Sequence, residues 1–251
     1  MVMERAKNAY RRVRRGVHAL LGRDLWDGPE VRCASERLGS AYGGWSVRPE
    51  WLGASSVVYG FGVGRDLSFD VALVERFGCE VHAFDPTPKA VAWVRGQRLP
   101  ERLRFHAVGV ASFDGEATFT LQSEDPEWDS YNLAGGGEVA GTGAVAGATE
   151  VHRLPVERVS TIMRRLGHDR IDLVKFDVEG AEFGVVEDML GSGVRPRQVL
   201  VEYHYFEGGA DRVERTRASI GLLRRAGYRL FSRSAIGHEF SFCLSEGEAT
   251  R

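Results

Sequence analysis

From Ser55 onward the chain alternates short apolar runs with stretches of helical spacing, and few folds accommodate that order. The runs lie at 56–61, 80–84, 103–108, 171–176 and 198–203, and the helical stretches at 68–78, 87–96, 156–166, 181–190 and 211–226. Such alternation predicts an α/β fold built on a doubly wound, mostly parallel sheet. The end departs from the pattern. GYRLFSRSAIGHEFSFCLS holds two β-rich runs with no room for a crossover helix, so the C-terminal strand is expected to be antiparallel.

The rest of the chain divides unequally. Residues 1–22 carry Val13, Val17, Leu20 and Leu21 amid a basic stretch with seven Arg/Lys in the first 23 positions. This is a basic amphipathic helix, suited to cap the fold, to meet a partner, or to lie on a membrane surface. Residues 23–54 hold Trp26, Tyr42, Trp45 and Trp51 and form an aromatic cap, which either covers a crevice or packs the N-terminal segment. The α/β domain is residues 55–251, interrupted at 134–149 (AGGGEVAGTGAVAGAT) by a segment without periodicity, a lid or an inert insertion.

At 251 residues, 43% hydrophobic and 27% charged, the chain can bury the core of one domain. A net charge of -2 argues against nucleic acid as a partner. No apolar run reaches membrane-spanning length and no signal-peptide core opens the chain, so a cytoplasmic location is the default. Cys33, Cys79 and Cys243 are too scattered for a disulfide framework or a cysteine metal site. A homo-oligomer is compatible with all of this.

The turn after the first run reads YGFGVGRD, residues 59–66. It fails the dinucleotide fingerprint, because G-x-G-x-x-G counted from Gly60 ends on Arg65 and from Gly62 on Leu67, and it lacks the Lys-Ser/Thr of a phosphate loop. What remains is G-x-G-x-G at a strand end, Gly60, Gly62 and Gly64. Class I methyltransferases use this form to bring backbone against the amino-acid half of S-adenosylmethionine (SAM). In VHAFDPTPK, Asp85 ends the next strand and is followed by Pro86. A carboxylate there can accept both ribose hydroxyls of an adenosine, and His106 is expected near the adenine edge.

IDLVKFDVEGAEF (171–183), together with FDPTPK, VGVASFDGEATF and VEYH, resembles the FkbM family of SAM-dependent methyltransferases. The similarity runs from about Tyr42-Gly43-Gly44-Trp45 to Phe240-Ser241-Phe242. It implies a class I methyltransferase (Rossmann-like) fold, SAM as cofactor, and a hydroxylated small-molecule acceptor, a sugar or secondary metabolite, bound beyond the fourth and fifth strands. Many members carry an Asp early in the glycine turn and an Asn and a Gly later. This chain has Gly60, Gly64 and Asp66 there, with Asp66 or Asp70 as substitutes for the contact to the cofactor's ammonium.

Lys175, Asp177 and Glu179 share one strand parity, and Glu202 and His204 share another on the neighbouring strand. If both strands end at one crevice, these side chains converge. His204 then serves as the base that takes the acceptor proton, with Asp177 or Glu202 orienting it. Alternatively, Asp177, Glu179, Glu202 and His204 hold a divalent cation, Mg²⁺ or Mn²⁺, that lowers the acceptor's pKa. A third reading gives the cluster no chemistry: Lys175 neutralises Asp177 or Glu202, and Glu179-Gly180 merely starts a helix. The sum is a SAM-dependent O-methyltransferase of a small metabolite. Its rivals are a nicotinamide-dependent oxidoreductase, disfavoured by the failed fingerprint, and a non-catalytic binding module.

Overall fold

The computed structural model describes residues 24–25, 27–121, 131–133, 151–205 and 209–245, with the helical positions Gly16 and Ala19. Those two positions apart, the basic segment 1–22 lies outside the described residues, as do Trp26 and the insertion 134–149. A hairpin, β1 (Glu36–Leu38) and β2 (Trp45–Val47), leads through a 3-10 turn at Pro49–Trp51 into the α/β unit. Its first half runs β3 (Val57–Phe61), α1 (Ser68–Phe77), β4 (Glu80–Phe84), α2 (Pro88–Arg95) and β5 (Leu103–His106). Four more strands follow: β6 (Gly109–Val110), β7 (Gly115–Leu121), β8 (Tyr131–Leu133) and β9 (Val151–Glu157). The second half is α3 (Val159–Leu166), β10 (Leu173–Phe176), α4 (Glu182–Gly191), β11 (Gln198–Glu202), α5 (Gly209–Arg225), β12 (Tyr228–Arg233) and β13 (Glu239–Leu244).

The main sheet has seven strands in the order β12-β13-β11-β10-β3-β4-β5. β10 pairs parallel with both β3 and β11, and β3, β4 and β5 pair parallel in turn. β13 runs antiparallel to both its neighbours, as the missing crossover required. The chain winds outward from β3 to β5, then returns to β10 on the other side. The strand order therefore reverses between β3 and β10, and the crevice of such a sheet opens at their carboxyl ends.

Local sequence explains where elements stop. α1 ends at Gly78 and α3 at Gly167, with φ of 66° and 74°, left-handed caps that cost a glycine little. α2 starts on Pro88, whose missing N–H is no loss in a first helical turn. The central strands are buried on both faces, and period two splits them between two cores. Tyr59, Phe61, Phe84 and Phe176 pack with α3, α4 and α5, while Val58, Val81, Ala83 and Leu173 pack with Phe69 and Leu73 of α1 and Val94 of α2. Phe61 stacks on Phe84 at 4.6 Å and on Phe176 at 5.5 Å, and each such buried ring stabilises by roughly 1.5–3 kcal/mol.

Two expectations need correction. The stretch 156–166 is not helical throughout, because β9 runs to Glu157 before α3 begins. That strand belongs to a second sheet, β6-β9-β7-β8, which the sequence pattern did not announce. β7 and β9 pair antiparallel, Gly115 opposite Val156 and Thr120 opposite Val151, across a long stretch of chain, and β9 is largely exposed. Such pairing leaves no local apolar signature.

Candidate active site

A cleft of about 430 Å³ lies at the carboxyl ends of β3, β4 and β10. Its floor is the glycine turn, fixed by side chains from the two neighbouring strands. Asp85 Oδ2 accepts the N–H groups of Val63 (3.0 Å) and Gly64 (2.9 Å), and Lys175 Nζ donates to the Gly62 carbonyl (2.7 Å). Gly62 and Gly64 have φ of 82° and 52°. A Cβ on Gly62 would lie 1.7 Å from the Asp177 carbonyl oxygen, whereas one on Gly64 would meet nothing within 4 Å. Gly62 is thus required by the close approach of the chain leaving β10, and Gly64 is the glycine that leaves open space. Gly60 does not line the cleft. A Cβ there would stand 2.6 Å from Asp70 Oδ1, so Gly60 makes room for that carboxylate.

The sequence-derived cofactor residues therefore separate. Gly62, Gly64, Asp66, Asp85 and Pro86 line the cleft. His106 does not: it stacks on Phe84 at 4.7 Å, and its Nε2 lies 2.9 Å from His82 Nδ1, because its strand position points it at the face beneath α3. Asp85, expected as a ribose acceptor, is already engaged by the protein. Beyond the two turn N–H groups, its Oδ1 accepts from Thr87 N (2.9 Å) and Oγ1 (2.6 Å), which occupies about all four lone-pair directions of a carboxylate. Its structural work is to shape the turn. Asp66 is similarly engaged, accepting from Ser40 Oγ and Ser68 N, each at 2.7 Å, which ties the β1–β2 loop to the head of α1.

Asp70 is different. It is buried, it lines the cleft, and its Oδ1 has no hydrogen-bond partner. Burial, against the pull of Lys175, pushes its carboxyl up to about 6. That oxygen is shielded from solvent and faces Gly60, so the carboxylate is held at a cost that no protein hydrogen bond to Oδ1 offsets.

At the far end of the turn Lys175, Asp177 and Glu179 line the cleft, and His204 and Glu202 pack against them from β11 and the residues after it. Lys175 Nζ lies 3.4 Å from Asp177 Oδ2. His204 Nε2 lies 3.1 Å from Glu179 Oε2, 3.9 Å from Glu202 Oε1 and 4.0 Å from Asp177 Oδ1. Convergence of the two strands is thus as expected. Glu179 alone among the described non-glycine residues has a positive φ, 44°, followed by Gly180 at 100°. Such backbone strain, on the order of 1–3 kcal/mol, persists where surrounding contacts dictate it.

A residue that pattern reading missed holds this turn. Glu182, fully buried at the start of α4, accepts from Gly180 N through Oε2 (2.7 Å) and from His204 N through Oε1 (3.0 Å). Its signal in the sequence was a lone carboxylate within the apolar GAEFGVV.

The surrounding charges weigh against His204 as a neutral base. Burial works against its proton, but Glu182, Glu179 and Asp177 outweigh burial and push it up to about 10, which favours the imidazolium. Burial likewise opposes the charge of Lys175, yet Asp177, Asp70 and Glu202 raise its pKa. Glu202 is raised too, to about 8, by burial and then by Asp177, which for a carboxyl favours the neutral form. Of the aromatic cap, Trp45 is buried in the core and Trp51 stacks under Arg48 at 4.0 Å. Tyr42, 88% exposed, is the cap ring that reaches the cleft.

Comparison with known proteins gives this geometry its context. The Methyltransferase FkbM domain matches residues 57–230, from β3 to β12. The chain belongs to the FkbM methyltransferase family. "Probable methyltransferase-like protein 24" of Rattus norvegicus is 25% identical over 179 residues, 70% of this chain and 38% of that protein. The "AMB antimetabolite synthetase AmbE" of Pseudomonas aeruginosa is 29% identical over 133 residues, 49% of this chain and 6% of that protein. This FkbM methyltransferase therefore spans well under half the length of these relatives. Among solved structures, the fibrillarin pre-rRNA processing protein of Methanococcus jannaschii aligns over 76% of this chain and 67% of that one, with a TM-score of 0.44 and 8% identity. The sheet order, with its single reversed strand β13 among the described residues, is that of a class I methyltransferase fold. No helix among the described residues is long and apolar enough to cross a membrane.

Proposed function

We propose that this methyltransferase uses SAM to methylate a hydroxyl of a small metabolite. The observation that carries the reading is the cleft itself: a rigid glycine turn with a buried, unpartnered carboxylate at one side and a charged cluster at the other. The residues fit SAM. Asp70 would hold the ammonium of the methionine part, Lys175 lies close enough to feel Asp70's charge and would face the carboxylate, and Phe84, Pro86, Val110 and Phe119 offer an apolar wall for the adenine. When bound, SAM supplies an electrophilic methyl on a sulfonium.

The protein's own contribution is to place and deprotonate the acceptor. Asp177 is the carboxylate that faces the cleft between two cations, Lys175 and His204. It accepts the hydroxyl proton as the oxygen attacks, and the imidazolium of His204 and the ammonium of Lys175 hold it in place. The base is then an oxygen rather than the imidazole expected from the sequence. Most of the remaining rate comes from alignment in a rigid site. A sugar or secondary-metabolite hydroxyl as acceptor rests on the family resemblance.

A second reading rests on one observation: ligating atoms of Asp177, Glu179 and His204 all lie within 4.8 Å of one another. A Mg²⁺ or Mn²⁺ there would require His204 to give up its proton. The deciding experiment measures methyl transfer from labelled SAM to a panel of hydroxylated acceptors, with and without EDTA. In the first reading Asp177→Asn lowers turnover on the order of 100- to 10,000-fold with SAM affinity kept, and EDTA changes nothing. EDTA-abolished activity restored by Mg²⁺ would install the second. SAM binding without turnover on any acceptor would point instead to a binding module.

A further inference from the structure

A second group of ligand-type side chains lies away from the cleft, on the sheet face covered by α3. A carboxylate oxygen of Glu80 and one ring nitrogen from each of His82 and His168 lie within 4.8 Å of one another. We propose that Glu80, His82 and His168 form a zinc site that ties the turn after α3 to the face of the sheet.

Three features carry the proposal. The first is chemical: two imidazoles and a carboxylate are a ligand set that Zn²⁺ accepts, with room for a water as fourth ligand.

The second is geometric. A tetrahedral zinc with bonds of about 2.0–2.2 Å needs its ligating atoms roughly 3.3–3.6 Å apart. Glu80 Oε1 and His82 Nε2 are already 3.1 Å apart. His168 stands half-buried just past the glycine cap of α3, with a ring nitrogen within 4.8 Å of both.

The third is the second layer of contacts. His168 Nδ1 is 2.7 Å from the buried Tyr59 hydroxyl, which leaves Nε2 for the metal. His82 Nδ1 is 2.9 Å from His106 Nε2, which leaves Nε2 facing Glu80. Each imidazole is thus held by one nitrogen and offers the other, the arrangement that orients metal-bound histidines. Two cations oppose it. Arg104 Nη1 is 3.4 Å from Glu80 Oε1, but its side chain is 64% exposed and can swing into solvent. Arg165 is paired with Glu157 at 2.9 Å and stays so.

The site stands on different residues from the cleft, so it can be tested without any methyl acceptor. Chelator-stripped full-length protein would be titrated calorimetrically with zinc, alongside His168→Gln, Tyr59→Phe and Asp177→Asn. The proposal expects one equivalent bound by the wild type, at least tenfold weaker binding in His168→Gln, about tenfold weaker in Tyr59→Phe, and no change in Asp177→Asn. Zinc at a hundredfold excess over Kd should raise the melting temperature by roughly 5–10 °C, an effect His168→Gln should largely remove. Cobalt(II) in the same place should show nitrogen and oxygen ligation. The proposal is overturned if the wild type takes up no zinc, leaving a hydrogen-bonded histidine network. Equal binding by His168→Gln, loss of binding in Asp177→Asn, or a thiolate charge-transfer band with cobalt would overturn it as well.

Discussion

Asp70→Asn separates affinity from stability, because this buried carboxylate leaves one oxygen without a hydrogen-bond partner and, in the proposed function, meets the cofactor's ammonium. The folded-state pKa is raised from 3.8 to about 6. Holding the charge at neutral pH therefore carries a penalty on the order of 3 kcal/mol. The sign follows from the direction. The penalty is absent below about pH 4, where both folded and unfolded states hold the proton, grows as pH rises to about 6, and is complete above it. Asn keeps the size and drops the charge, so the variant should melt no lower than the wild type at pH 8. Ligand binding should move the opposite way. Replacing a charge-assisted contact to an ammonium by a neutral one loses about 1–2 kcal/mol, roughly 5- to 30-fold in affinity. Calorimetry with S-adenosylhomocysteine, which keeps the amino-acid part, reads this directly. Wild-type affinity should be flat above pH 7 and weaken as pH falls through 6, whereas the variant should show neither the strength nor the slope. Equal affinity and equal pH dependence in the two proteins would refute the assignment of Asp70.

Three further substitutions probe how the cleft is built. Asp85→Ala strands the N–H groups of Val63 and Gly64, so it should cost about 1–3 kcal/mol of stability and lose cofactor binding together; lost binding at unchanged melting temperature would return Asp85 to a direct ribose contact. Gly62→Ala should prevent correct packing of the turn against the end of β10, while Gly64→Ala should cost only about 1 kcal/mol, and comparable melting of the two variants would show the turn to be pliable. Tyr42→Ala should leave SAM affinity and melting temperature unchanged, given its exposure, and raise KM for the acceptor several-fold; an unchanged KM would remove Tyr42 from the acceptor side.

What the sequence disclosed follows from the range of the interactions involved. β3, β4 and β11 announce themselves because their apolar runs are bounded by turn residues, and α1 and α3 because each ends on a left-handed glycine. Convergence of Asp177 with His204 was legible too, since parity on two neighbouring parallel strands is a local property. The protonation of His204 was not, because it depends on Glu182, which arrives from the start of α4. Asp85 was found at the right place, but its part in shaping the turn was not foreseen. Only the turn's folded geometry shows that Thr87, Val63 and Gly64 take up its oxygens.

The same contacts explain how a short turn rich in glycine can bind anything well. Glycine gives the chain freedom to pass close to a ligand, and that freedom would ordinarily be lost on binding at a cost in affinity. Here Lys175 fixes the Gly62 carbonyl, Asp85 fixes the next two amides, and the Asp177 carbonyl leaves no space beside Gly62. The turn is ordered before a ligand arrives, by groups that are buried and charged and therefore costly to hold. Asp70 remains the exception within this network: it lines the cleft, yet its buried Oδ1, turned toward Gly60, has no hydrogen-bond partner. Stability forfeited at that residue is the structural reason to expect that ligand binding, and not folding alone, shaped this end of the sheet.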